Sequence, residues 1–485
     1  MVKKSMRIFA AIAACIALIA CLFLSACSFA RDGRDGEDLT LMSMMEEVNE
    51  ELIAQGKQPY TSILDFVEDY FGYVSDEAQE AVSEKSIINY SLLSSVAIVS
   101  EFSSGSLFEQ TYSVFTGSGV IVDIDRQNGD AYIVTNAHVV CNTEGSQTEY
   151  CNSIYAYLYG SDVMDVDYFV YNNVGVQNIN GIDASDIEIV GVSLTYDLAV
   201  LRVEGSEVLA RSNAVAASFS EDEVFAVGER VYAIGNPQWE GLSATRGIIS
   251  RESQNIHLDI ATTAFRVMRT DAAINGGNSG GGLFNMRGEL VGIVNSGAAS
   301  VIEEDGVTIN DIDNMSYALP ATYARRVVQS MIDRYEENNR TFYDVRKATL
   351  GVTSVVTDSY ARYDGELGET VIEQTVAVDS VSAQPAMGVL RSGDILKGFS
   401  VGVAQTAIAD GAYTQKNSAF SVPEDTGFRV ARHYFSLDVE RSYTVTDAMF
   451  AVRQGDTVEI VIERNGQTMY AYITFDSANY FRTYS

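Results

Sequence analysis

Three short stretches place a histidine, an aspartate and a serine in settings suited to nucleophilic catalysis. In Ile133-Val134-Thr135-Asn136-Ala137-His138-Val139-Val140 an apolar run delivers His138 into a turn. In Tyr196-Asp197-Leu198-Ala199-Val200-Leu201 the aspartate stands just ahead of a wholly apolar strand, where its carboxylate would be half buried at a domain edge. In Gly276-Gly277-Asn278-Ser279-Gly280-Gly281-Gly282 the glycines leave backbone N–H groups free to converge on an anion beside the Ser279 hydroxyl. Each stretch alone has an ordinary explanation: a structural histidine, a turn aspartate, a flexible loop. The loop lacks the Lys and Ser/Thr ending that a nucleotide-phosphate loop requires, so phosphate cradling does not account for it. Taken in the order His, Asp, Ser, 59 and 82 residues apart, they fit one chemistry. A hydroxyl is a weak nucleophile at neutral pH, an imidazole can take its proton, and a carboxylate behind the imidazole fixes its tautomer.

Such groups need rigid elements to hold them. From about Ile87 short β-type runs alternate with turns: Ser95 to Val99, Val114 to Asp123, Ala131 to Thr135, Ile187 to Val192, Leu198 to Val203, Arg230 to Ile234 and Glu289 to Val294. Asn128-Gly129 and Arg287-Gly288 punctuate them, and the pattern predicts an all-β barrel or sandwich. A helix is expected from Ala321 to Asn339, with Tyr323, Val327, Val328, Met331 and Ile332 on one face. A second β-rich unit then runs from about Asp344 to Phe475 and contains two similar Gly-Asp elements, at Gly393-Asp394 and Gly455-Asp456. Ahead of the β region, Arg31 to about Ser86 is acidic, with apolar residues three and four apart such as Met45, Val48 and Leu52, then Ile63, Phe66 and Val67. That spacing predicts amphipathic helices that pack or act as a spacer, and no catalytic motif falls in them.

A chain of 485 residues has room for about three domains. Lys+Arg 32 against Asp+Glu 66 gives a net charge of −34, a surface that repels phosphate backbones and excludes nucleic acid as a partner. The first 26 residues read as an export signal: Lys3, Lys4 and Arg7, then an apolar run from Ile8 to Leu24. The ending Leu24-Ser25-Ala26-Cys27 resembles the bacterial lipoprotein box, which implies a diacylglyceryl group on Cys27 and cleavage before it. The alternative is an uncleaved membrane-spanning anchor from Ile8 to Ala30, and both place the rest of the chain outside the cytoplasm. In that compartment Cys141 and Cys151 are expected to form a disulfide worth about 2–3 kcal/mol, the alternative being two free thiols. No Cys/His cluster has zinc spacing and only three histidines are present, so no metal site is expected.

The three catalytic stretches carry a family resemblance. Thr135-Asn136-Ala137-His138-Val139-Val140, Asp197-Leu198-Ala199-Val200-Leu201 and Gly277-Asn278-Ser279-Gly280-Gly281 resemble the catalytic blocks of the HtrA (Deg) family of trypsin-like serine proteases. Supporting likenesses are Gly117-Ser118-Gly119, Ile234-Gly235-Asn236-Pro237, Gly247-Ile248-Ile249-Ser250 and Tyr317-Ala318-Leu319-Pro320. The resemblance implies a mainly β chain: a chymotrypsin-like double β-barrel protease domain over 88–338, preceded by a short helical N-terminal segment (27–87). A PDZ-like domain would follow over 345–478, resting on Leu350-Gly351-Val352 and Arg391-Ser392-Gly393-Asp394 and stretched by an insertion between about Ala409 and Arg441.

On that reading Ser279 attacks a peptide carbonyl, His138 is the base and Asp197 its partner, while backbone N–H groups at Gly277 and Ser279, with Asn278 between, receive the oxyanion. Ala273, six positions before the nucleophile, lies at the base of the specificity pocket, and Ile293 and Val294 along its wall predict small or medium aliphatic side chains before the cut. Asn278 stands where many digestive relatives carry Asp, so activation through a newly cut N-terminus is not expected. In the PDZ-like unit the N–H groups of Thr349, Leu350, Gly351 and Val352 would capture the C-terminal carboxylate of a peptide added as a strand, unless this is a plain β domain that only packs on the protease. The family implies no cofactor, unfolded or mislocalised envelope polypeptides as substrates, and a homotrimer. A peptide-binding chaperone or scaffold lipoprotein with little proteolysis is the alternative function.

Overall fold

The computed structural model describes residues 84–106, 109–144, 147–161, 180–257, 265–297, 301–303, 308–309, 315–340, 345–365, 369–425 and 428–484, together with Met45, Val48, Asn49, Leu52, Ile53, Pro59, Tyr60 and Phe66. The expected signal peptide and Cys27 lie outside the described residues, as does most of the acidic segment. Residues 1–83 and 84–485 form separate compact units. In the first, Met45, Val48, Leu52 and Phe66 are helical, as their spacing predicts. The Asn49 side chain there donates to the Tyr60 carbonyl and accepts from its N–H, both at 2.6 Å. Among the described residues no helix is long and apolar enough to cross a membrane.

In the second unit α1 (Glu84–Leu92) leads into β1 (Ser95–Ser106), β2 (Glu109–Asp125) and β3 (Asp130–Thr135). A one-turn helix α2 (Ala137–Val140) follows, then β4 (Cys141–Glu144), β5 (Gln147–Tyr150), β6 (Ser153–Leu158), β7 (Ile187–Ser193) and β8 (Leu198–Val203). Six of these strands make an antiparallel sheet in the order β6-β1-β2-β3-β8-β7. Every residue of β8 is buried, which is why its sequence is apolar without alternation except at Arg202, whose guanidinium pairs with Glu204 at 2.7 Å. The remaining strands of this half are β9 (Arg230–Gly235), β10 (Ser243–His257), β11 (Phe265–Thr270), β12 (Gly282–Asn285), β13 (Leu290–Gly297), β14 (Val301–Glu303), β15 (Thr308–Ile309) and β16 (Ser316–Pro320). They run in the order β11-β16-β13-β12-β9-β10, and a further pairing of β10 with β11 closes the ring into a six-stranded barrel.

Helix α3 (Ala321–Glu337) buries Tyr323, Val327, Val328, Met331 and Ile332, the predicted face, against β7, β8, β13 and β16. Beyond it come β17 (Val345–Ala348), β18 (Val352–Asp364), β19 (Glu369–Val381), β20 (Ile395–Ala404), β21 (Gly411–Tyr413), β22 (Phe420–Ser421) and β23 (Phe435–Asp438). Helix α4 (Thr444–Ala448), β24 (Thr457–Arg464), β25 (Gln467–Thr474) and β26 (Phe481–Tyr484) complete the chain's elements. The main sheet here has the order β18-β19-β20-β24-β25-β21, with β18 at an edge, and β26 returns to pair with β17. The region read as an insertion is woven into this sheet: β21 pairs with β25, while β22 and β23 pair with β20. The two Gly-Asp elements are equivalent turns, in which Asp394 accepts from Arg391 N–H at 2.8 Å and Asp456 from Arg453 N–H at 2.7 Å.

The C-terminal sheet packs on the first half through buried polar contacts. Asp447 of α4 accepts from Thr322 Oγ1 at 2.7 Å and pairs with Arg266 of β11, whose guanidinium lies 3.8 Å from the centre of the Tyr443 ring. Arg441 reaches Glu252 of β10 at 2.7 Å and the Ile372 carbonyl at 2.8 Å. Removing one member of a buried ion pair strands the other in a poorly solvated site. Asp447→Ala is therefore expected to destabilise the protein by about 3 kcal/mol, read from urea unfolding. A loss within experimental error would show the pair to be energetically idle.

Candidate active site

The reactive residues converge from both halves of the double-sheet domain. His138 is the second residue of α2, the turn that β3 runs into, and Asp197 sits in the turn before β8. Ser279 lies in the loop that precedes β12 of the closed barrel. The Asp197 carboxylate is fully buried and accepts three hydrogen bonds: from His138 N–H at 3.0 Å, from the His138 Nδ1 side of the ring at 2.7 Å and from Asn295 Nδ2 at 2.7 Å. Its own carbonyl accepts from Asn136 Nδ2 at 2.8 Å. Asp197 adopts φ 47°, a left-handed conformation that aspartate tolerates better than most residues.

Burial of the imidazole opposes its protonation, but the adjacent Asp197 charge and hydrogen bond outweigh this and raise the His138 pKa above the ordinary value. With the carboxylate holding Nδ1–H, Nε2 is left free to accept a proton. Among the described contacts no hydrogen bond of 3.5 Å or less joins Ser279 Oγ to His138. Catalytic contacts of this kind commonly tighten only when substrate is bound.

The loop around Ser279 is fastened by backbone contacts that fix its shape. Ser118 acts as a hub: its Oγ donates to the Gly277 carbonyl at 2.7 Å and accepts from Asn236 N–H at 2.8 Å, and its N–H donates to the Ser279 carbonyl at 2.8 Å. Asn278 N–H closes a turn onto Asn275 at 3.0 Å, and Gly280 N–H donates to Val294 at 2.8 Å. No described backbone hydrogen bond uses the N–H of Gly277 or of Ser279, so both remain available to an incoming oxyanion. Gly277 has φ 99°, and a Cβ there would come within 2.2 Å of the Asn236 carbonyl oxygen, so the turn admits only glycine.

The other expected positions fall out variously. Ala273 is exposed in the same loop, its carbonyl held by Thr245 Oγ1 at 2.8 Å. Ile293 and Val294, expected along the pocket wall, are fully buried in β13 and point no surface to solvent. Val294 instead braces the nucleophile loop through its backbone, exchanging bonds with Gly280 and Gly281. The expected Cys141–Cys151 disulfide is not formed: both are free thiols. Cys141 Sγ turns into the helix and contacts the Ala137 carbonyl at 3.0 Å, and burial pushes its pKa up to about 12 and that of Cys151 to about 11.

Of the four amides proposed to capture a peptide carboxylate, that of Thr349 is already donated to Tyr480 at 2.8 Å. Leu350 and Gly351 N–H enter no described backbone hydrogen bond, and Val352 begins edge strand β18. His257 ends β10, and His433 contacts Asp456 at 2.7 Å, both remote from the triad in sequence and without a catalytic motif. Asn295 escaped sequence reasoning altogether. Its one available signal is an amide in the otherwise apolar run Leu290-Val291-Gly292-Ile293-Val294 of β13, where a buried polar group needs a partner. Among the described residues no group of metal ligands occurs.

An NMR titration of the His138 ring is expected to give an apparent pKa above about 6.5, falling in Asp197→Asn once the neighbouring charge is removed. An unchanged midpoint in that variant would refute the coupling.

The family profile for a trypsin-like peptidase domain matches residues 117–293. "Serine protease Do-like HtrA" of Lactococcus lactis subsp. lactis (strain IL1403) is 28% identical over 289 residues, 58% of this chain and 59% of that one. "Probable periplasmic serine endoprotease DegP-like" of Rhizobium meliloti (strain 1021) is 32% identical over 204 residues, 42% of this chain and 31% of its own length. The solved structure "HtrA-type protease AlgW with tripeptide" is 22% identical, covering 81% of this chain and 96% of that one with a TM-score of 0.42. The chain spans about three fifths of the Lactococcus relative and about one third of the Rhizobium relative. By its sequence matches the chain carries a trypsin-like peptidase domain and is similar to the HtrA serine proteases.

Proposed function

We propose that this chain is a serine endopeptidase that hydrolyses peptide bonds of unfolded or mislocalised polypeptides outside the cytoplasm. The observation that carries the reading is the buried Asp197 carboxylate fixing His138, beside a loop in which the N–H groups of Gly277 and Ser279 are uncommitted. Ser279 Oγ attacks the carbonyl carbon while its proton passes to His138 Nε2. The carbonyl oxygen, now charged, takes hydrogen bonds from the two amides, each worth about 3 kcal/mol in the transition state. His138 then gives the proton to the leaving amine, and water repeats the sequence on the acyl-enzyme. Asn295 keeps the carboxylate oriented through both steps.

Exposed Ala273 at the loop supports a preference for small or medium aliphatic residues before the cut, since no charge is offered there to Lys or Arg. In the C-terminal domain, the free amides of Leu350 and Gly351 beside edge strand β18 support docking of a peptide C-terminus in a PDZ-like manner. Lipid attachment at Cys27, an envelope location like that named for the Rhizobium relative, and a homotrimer complete the proposal.

A fluorophosphonate probe should label the wild-type chain and not Ser279→Ala, and labelling that survives the substitution would remove Ser279 from the mechanism. The pH profile of kcat/KM should show an acid limb, because protonated His138 cannot act as base and its raised pKa carries the loss of activity to higher pH than an ordinary imidazole would. Asn295→Ala should lower kcat by about tenfold or more, the worth of one hydrogen bond to a buried charge. A peptide-library profile dominated by Arg or Lys before the cut would contradict the assignment of Ala273.

A further inference from the structure

A cavity of about 380 Å³ opens where α3 meets the C-terminal domain. Five arginines line it from three directions: Arg326 and Arg334 from α3, Arg346 from β17, and Arg432 and Arg453 from loops that flank β23 and α4. Two carboxylates, Asp333 and Glu337, face them, and no lysine is present. In a chain of net charge −34 this is a local reversal of sign. Guanidinium groups so gathered repel one another unless anions intervene.

The protein neutralises only part of the group. Arg326 is satisfied by Glu223 and lies over the Phe435 ring at 4.7 Å. Arg453 pairs with Asp333, whose other oxygen accepts from Gln329 at 2.8 Å. Arg432 meets Glu221 at 3.2 Å, with both side chains more than half exposed, a pairing that solvent weakens. The exposed Arg346 side chain has no ion pair or hydrogen bond among the described residues.

We propose that this cavity binds a compact phosphate-class polyanion. Arginine forks presented from three sides suit the several oxygens of a tetrahedral group, which a single planar carboxylate supplies less well. The volume fits a ligand of two or three phosphate groups. The less committed cations, Arg346 and Arg432, lie on β17 and on the loop before β23, so the anion would be held mainly by the C-terminal domain against the α3 wall. This site is distinct from the triad and does not depend on hydrolysis.

The test is calorimetry and thermal melting of the full chain with pyrophosphate and with tripolyphosphate at constant ionic strength. Saturable binding with Kd below about 1 mM and a raised Tm is expected, weakened at least tenfold in Arg346→Gln/Arg432→Gln and unchanged in Ser279→Ala. Both arginines are exposed, so the double variant should melt as the wild type does in the absence of ligand. Dihexanoyl phosphatidic acid below its micellar concentration separates the two sources of the ligand: binding tighter than pyrophosphate assigns a lipid headgroup, and weaker binding a free anion. No saturable binding of any phosphate probe, equal affinity in the double variant, or equally tight binding of citrate would overturn the proposal.

Discussion

The site depends on one buried charge. A carboxylate withdrawn from water is unstable unless donors replace its hydration, and Asp197 receives three, from His138 twice and from Asn295 once. Two of these donors belong to His138, in the half built on the six-stranded sheet that also carries Asp197, whereas Asn295 belongs to the closed barrel. The carboxylate is therefore satisfied only when both halves are folded and docked. Orientation of the imidazole follows, because the ring cannot turn away without leaving a charge unsolvated.

The nucleophile loop obeys a similar logic with neutral groups. Ser118, on β2 of one half, ties down the Gly277 and Ser279 carbonyls and so sets the direction in which the intervening amides face. Orienting dipoles in advance removes the reorganisation that water would need as the oxyanion forms. The same residue accepts from Asn236, so a single hydroxyl joins β2, the β9 exit and the nucleophile loop.

Much of this architecture was legible in the residues. The apolar run Leu198 to Leu201 lies in an interior strand buried on both faces, and the 3–4 spacing from Tyr323 to Ile332 is the buried face of α3. Local chemistry marked His138, Asp197 and the glycine-flanked Ser279, because turn and strand signals are short-range. Contacts that depend on long-range register were not legible. Asn295 meets Asp197 across 98 residues, and nothing beside it in the chain foretells that partner. Ile293 and Val294 point to opposite faces of β13, and both faces are covered, so neither reaches solvent. Thr349 has its amide consumed by Tyr480, a residue 131 positions away that arrives just before β26 pairs with β17. The thiols ten residues apart remain separate because Cys141 Sγ faces the Ala137 carbonyl.

Tyr196, the residue before Asp197, packs against Tyr323 of α3 with ring centres 5.7 Å apart and edge-on to Phe450 of the C-terminal domain at 5.0 Å. An aromatic wedge contributed from more than 250 residues downstream thus shores up the left-handed turn that carries the carboxylate. The half that carries His138, Asp197 and Ser279 and the C-terminal domain are not modular in the sense of interchangeable cassettes. Grafting a foreign module after α3 would have to reproduce that ring, or leave the turn to relax toward commoner backbone angles.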